Sequence, residues 1–268
     1  SNNAELGKFI INNLGRITNQ DYSDIRYDLN LPEAEGVEWT SSDTSIIGND
    51  GKLNADKIIT VPTPVTFTAK SNGVTKDFKL IVSPRTALEV ISSGTNDISF
   101  KINNTDNLKL SGDVVTTINY VANGGTGKVN VCDDKGRILV SLIAENDGFY
   151  FDYLGSDFKK YNLQTAKIDI IIMPDVDKAA ILVDGKIVAD YVSIKADADY
   201  VASVKSEINT GTINISADKY TVLQANIDNI DYFSDVKFGY ADSKGFDLED
   251  KVITDATLKW TSSNTNIL

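Results

Sequence analysis

The 268-residue chain has no histidine and one cysteine. Without histidine there is no Ser-His-Asp or Cys-His centre and no His-ligated zinc site. Carboxylate chemistry and oxygen-ligated metals remain. One cysteine closes no intramolecular disulfide. Cys132 sits in the strand-like alternation Lys128-Val129-Asn130-Val131-Cys132, where a small core residue is the ordinary reading and a reactive thiol the exception. Positive charge is also short: 26 Lys and Arg stand against 38 Asp and Glu, a net charge of −12. That balance argues against nucleic acid, whose phosphates need clustered cations, and against docking on anionic membranes. Acidity that keeps a secreted protein soluble is the simpler reading. No apolar run reaches the ~18 residues of a spanning helix, and no signal-peptide pattern opens the chain. The glycine-rich run Asn123–Lys128 is no phosphate loop, since Ala122 replaces its first glycine and Val129 its Ser or Thr.

Tryptophan is scarce, and its two occurrences organise the rest. Trp39-Thr40-Ser41-Ser42-Asp43-Thr44-Ser45-Ile46-Ile47 returns as Trp260-Thr261-Ser262-Ser263-Asn264-Thr265-Asn266-Ile267-Leu268, with six of nine positions identical. The copies lie 221 residues apart (260 minus 39), too far for a solenoid period. Two copies of one module with a different module between them is the expected arrangement. The first copy runs on through Asn49-Asp50-Gly51-Lys52, whereas the second reaches the last residue, so a segment of a longer protein is expected. A length of 268 residues has room for about two domains of ordinary size. The 41% hydrophobic content is that of a globular protein with a core.

In order along the chain, Leu6, Phe9, Ile10 and Leu14 form a stripe that predicts a short helix over 4–14. Short strands follow at 28–31 and 37–40. Asp50-Gly51 and Asn72-Gly73 are turns that tolerate positive φ. The alternations at 65–70 and 75–82 read as a hairpin, and 1–84 as a small β-sandwich. Beyond Ser83-Pro84-Arg85 the pattern is nearly all strand. Strands are expected at 98–102, 114–121, 129–132, 138–143, 149–153, 167–173, 180–188 (a hairpin about Asp184-Gly185), near 201–205, at 212–216 and at 225–233. About ten to twelve strands in ~150 residues fit two packed antiparallel sheets in jelly-roll order.

Two resemblances sharpen this. Leu29, Leu31, Pro32, Trp39, Ser41, Ser42, Ile46, Ile47, Asp50, Gly51, Lys52, Val65, Phe67 and Ala69 make residues 4–84 resemble the bacterial immunoglobulin-like domains of large secreted polysaccharide-degrading enzymes. That resemblance implies a spacer or interaction role without an active site. Val183-Asp184-Gly185-Lys186-Ile187-Val188-Ala189 and Ile227-Asp228-Asn229-Ile230-Asp231-Tyr232-Phe233 make the middle module resemble the concanavalin A-like, laminin-G-like sandwiches. The expected organisation is an immunoglobulin-like domain over 1–84, a concanavalin A-like domain over 85–235, and the start of a second immunoglobulin-like domain over 236–268. The expected fold class is all-β: an immunoglobulin-like β-sandwich plus a concanavalin A-like jelly roll.

Three chemistries follow. The second resemblance implies a structural Ca²⁺ at Asp228, with Asp97 (and Asn96) close by if the ends of the sandwich meet. Calcium takes six to eight oxygens, and a solvated or turn-capping Asp228 is the alternative. A sugar platform is the second. Phe149, Phe151 and Tyr153 project from one face of a strand, Tyr150 and Asp152 from the other. Phe149 and Phe151 fit the core, while Tyr150 and Asp152, with Tyr153 at the strand end, are the candidate carbohydrate-binding residues. Catalysis is the third. The Glu-x-Asp-x-x-Glu strand of glucanases with the concanavalin-like fold is absent, and Asp228 and Asp231 would point to opposite strand faces. The reading is a non-catalytic region of a secreted or cell-surface bacterial protein, carbohydrate-binding or spacing, beside a glycoside hydrolase or polysaccharide lyase. Its expected partners are a polysaccharide or other glycan and neighbouring domains of its own chain, with no nucleic acid and no membrane insertion. An adhesin or structural stalk is the alternative.

Overall fold

The computed structural model describes residues 2–85, 88–93, 97–101, 112–211 and 219–223. The protein is all-β apart from one helix and one short 3-10 turn among these residues. The expected strands at 212–216 and 225–233, Asp228, Trp260 and the repeat over 236–268 lie outside the described residues.

The helix α1 spans Asn2–Asn12. Strands β1 (Glu38–Ser41), β2 (Thr63–Ser71) and β3 (Val74–Val82) form an antiparallel sheet in the order β1-β2-β3. Asn72 and Gly73 turn β2 into β3 with φ of 47° and 79°, the left-handed pair that matches strand twist in a tight hairpin. The sheet buries Val65, Phe67, Ala69, Phe78, Leu80 and Val82. Half-buried Trp39 covers this face, 5.8 Å from the Phe67 ring and 6.0 Å from Phe78. The layer opposite is built from α1 and irregular segments carrying Ile17, Ile25, Ile46, Ile47 and Ile59. Leu29 and Leu31 do not lie in a ladder strand. They pack over Gly51, whose φ is 81° and where a Cβ would meet Leu31 at 3.0 Å.

The expected helical stripe holds in part. Leu14 is buried and Ile10 half-buried, but Leu6 and Phe9 are 51% and 67% exposed, and Gly7 and Ile11 are buried in their place. The cause is close approach: a Cβ on Gly7 would stand 2.5 Å from the Ser71 carbonyl oxygen. A face with no side chain at its centre lets the helix backbone rest on the β2–β3 hairpin.

The second unit contains β4 (Leu88–Ser93), β5 (Asp97–Lys101), β6 (Asp113–Val121), β7 (Thr126–Cys132), β8 (Ile138–Glu145), β9 (Gly148–Asp152), β10 (Thr165–Met173), β11 (Lys178–Val183), β12 (Lys186–Ser193), β13 (Ser203–Thr210) and β14 (Lys219–Leu223). They pair antiparallel in the order β12-β11-β10-β6-β14-β4-β5-β13-β7-β8-β9. Both ends of that series feed one core: Ile118 and Tyr120 of β6 and Ile168, Ile170 and Ile172 of β10 share a cluster with Val129 and Val131 of β7, Leu142 of β8 and Phe149 of β9. The long sheet is thus folded over on itself as a sandwich. The end of strand β10, from Ile170 to Met173, is apolar on both faces for a reason. Its other face, Ile171 and Met173, joins Ala180 and Leu182 of β11 around Tyr27 of the first unit.

Candidate functional site

Strand β9 sorts its residues by the two-residue period of a strand. Phe149 and Phe151 point inward and are fully or nearly buried, as expected from their spacing. Tyr150 and Asp152 point outward and are half-buried. Register carries this outer face across the sheet: Tyr150 stands opposite Ile143, and Asp152 opposite Ser141. Ser141 stands opposite Asn130 and donates to its Oδ1 at 2.6 Å. Asp152 accepts from the Lys195 ammonium at 2.6 Å.

The loop 153–164 adds a residue that strand periodicity did not reveal. Phe158 is 56% exposed and sits at φ 55°, a left-handed conformation that costs a non-glycine residue about 1–2 kcal/mol. Its ring meets Tyr150 edge-on at 5.6 Å. The loop is held at both ends. Leu154 donates its N–H to the Ser193 carbonyl at 3.1 Å, and Tyr161 exchanges two backbone bonds with Phe149 at 2.8 and 3.0 Å. The Tyr161 ring stacks on Phe149 at 5.5 Å. Lys160 is held by Glu145 at 2.6 Å and Asp147 at 2.5 Å, and the hydrogen bonds it donates to these two carboxylates, Asp147 first, raise its pKa. The only sequence signal for Phe158 is an aromatic in the otherwise polar run Gly155-Ser156-Asp157-Phe158-Lys159-Lys160, with no alternation to bury it.

Tyr153 behaves differently from Tyr150. It packs in part against the sandwich core, and burial raises its phenol pKa, helped by Asp157. The structure therefore brings Tyr150 and Asp152 together with Phe158 and Lys195, and places Tyr153 toward the core side. Asp97 lies in β5 at the register position opposite Lys205. Among the described residues no group of three or more His, Cys, Asp or Glu side chains is placed to hold a metal ion.

A second polar assembly ties the two units. Arg26 is buried. Its guanidinium donates to Asp24 at 2.9 Å, to Asp113 at 3.1 Å, and to both oxygens of Asp175 at 2.6 and 2.8 Å. Burial opposes its charge, yet the bonds it donates to Asp175 and Asp24 and the field of Asp113 raise its pKa overall. Beside it, the Tyr27 hydroxyl donates to Asp190 at 2.5 Å, and the Asn19 N–H donates to the same carboxylate at 2.9 Å. Burial, then the Asp190 charge, raises the Tyr27 pKa.

No protein-family model matches the chain, and no curated protein matches it. A solved sialidase is similar with a TM-score of 0.35 and 12% identity, over 63% of this chain and 21% of that one. The chain spans about a fifth of that protein's length, and at this TM-score the likeness shows neither a shared fold nor a shared activity. No helix among the described residues is long and apolar enough to cross a membrane.

Proposed function

We propose that the chain is a non-catalytic, glycan-binding region of a secreted or cell-surface bacterial protein, serving a neighbouring glycoside hydrolase or polysaccharide lyase. The observation that carries this reading is Phe158: a largely exposed ring held in a left-handed backbone against Tyr150. Strained backbone at a non-glycine residue clusters at active sites and ligand clamps. The two rings offer faces for the C–H side of a sugar, and the Asp152–Lys195 pair offers an acceptor and donors for its hydroxyls. Asp152 is engaged by an ammonium at 2.6 Å, which suits hydrogen bonding better than proton transfer. Within this reading the module order is immunoglobulin-like, concanavalin A-like and a second immunoglobulin-like start, and a structural Ca²⁺ would use Asp228 and Asp97.

The test is a glycan array with the full chain, in Ca²⁺ and again in EDTA. Retention of a glycan in Ca²⁺ and its loss in Tyr150→Ala supports the reading, and loss in EDTA supports calcium. A stalk without sugar affinity is the second reading. It draws on the Arg26 network, which ties the segment before β1 to β6 and to the turn after β10. Absence of binding to any glycan would favour it.

A further inference from the structure

We propose that the joint between the three-stranded unit and the sandwich is a proton-operated catch, in which a single proton on Asp113 decides how firmly Arg26 holds the two units together. The geometry is specific. The Asp113 side chain is 1% exposed. Its Oδ1 accepts from Arg26 at 3.1 Å, while its Oδ2 has no hydrogen-bond partner among the described residues. A buried carboxylate oxygen without a donor fits a carboxyl group better than a carboxylate.

The charges around it agree. Arg26 faces Asp113 from the segment before β1, together with Asp24, whose carboxylate also accepts from Ser83. Asp175 faces it from the 3-10 turn after β10, and its charge and that of Asp24 oppose ionisation of Asp113. Arg85, after β3, adds a more distant positive charge. Tyr191 of β12 faces the same group of charges as a neutral phenol. One guanidinium bridging three carboxylates leaves an excess of negative charge, and the most buried carboxylate is the one to shed it. Burial is the main cause that pushes Asp113 up to about 7, against the pull of Arg26.

The sign follows from linkage. In the closed joint Asp113 keeps its proton to near neutrality; in an opened joint, exposed to water, it loses it near 4. Between those values the closed form binds more protons, so closure weakens as pH rises and levels off above about 7. The chain has no histidine, so few other groups titrate in that window.

The Asn19 amide reports the joint, because it donates to Asp190 across it. Its hydrogen-exchange protection in the full chain, corrected for intrinsic exchange, should fall about tenfold per pH unit between pH 5 and 7. It should stay level in Asp113→Asn. A protection factor that is flat in the unaltered chain, or equally sloped in Asp113→Asn, overturns the proposal. Should Asp113→Asn fail to fold, carbon NMR of the Asp113 carboxyl in the unaltered chain decides. A midpoint near 7 that drops in Asp175→Asn supports the catch, and a midpoint below 5 removes it.

Discussion

Phe158 carries the binding proposal, and its backbone makes a sharp prediction. At φ 55° glycine is free of the strain that a larger residue bears. Phe158→Gly should therefore leave stability unchanged or raise it by up to about 1 kcal/mol, while removing glycan retention. Thermal unfolding and the array read the two effects separately. Strain with no function behind it would give the first effect without the second. Arg26 behaves in the opposite way. Removing it strips Asp24, Asp113 and Asp175 of their shared donor, and leaving a buried polar group without its partner costs about 1–3 kcal/mol. Arg26→Ala should lose stability on that scale in denaturant titration, and Arg26→Lys should recover little, since an ammonium cannot bridge both Asp175 oxygens and Asp113 together. The sequence made some of these residues legible. Phe149 and Phe151 separate from Tyr150 and Asp152 by strand period alone. Phe158 and Arg26 lie in segments without a period, so nothing in their spacing shows which way they face.

Elements were read best where turn chemistry bounds them. Asn72-Gly73, Asn123-Gly124 and Asp184-Gly185 all adopt positive φ, and the strands on either side stand close to the expected limits. The helix was found, but its face was not. Periodicity assumes that the largest apolar side chains point inward, and α1 is seated through Gly7 instead. Gly7→Ala should cost about 1–3 kcal/mol, the range for overpacking a closed contact. Gly148 is tighter still: a Cβ there would lie 2.0 Å from the Tyr161 carbonyl oxygen. Gly148→Ala should part Tyr161 from Phe149, release the loop that presents Phe158, and weaken glycan retention with no binding residue altered. Retention equal to that of the unaltered chain would show that the loop need not be held.

At the scale of the molecule, the all-β class was legible from alternation and turn spacing, and the folded sheet confirms it. The joint was not legible, because its partners are distant in sequence: Arg26 reaches Asp113 and Asp175, and Tyr27 reaches Asp190. One trace was visible. The end of strand β10, Ile170-Ile171-Ile172-Met173, is apolar on both faces, which a sandwich open to water on its outer side does not require. Tyr27 covers that second face.

The measurement that tests the central claim most directly is glycan retention by the full chain compared with Tyr150→Ala and Phe158→Ala, each checked by circular dichroism for an unchanged fold. The account predicts that the unaltered chain retains at least one polysaccharide and that each variant loses most of that retention, about tenfold or more, the scale of truncating an aromatic anchor (~2 kcal/mol) at a binding surface. Retention that survives both substitutions, or none in the unaltered chain, would contradict it.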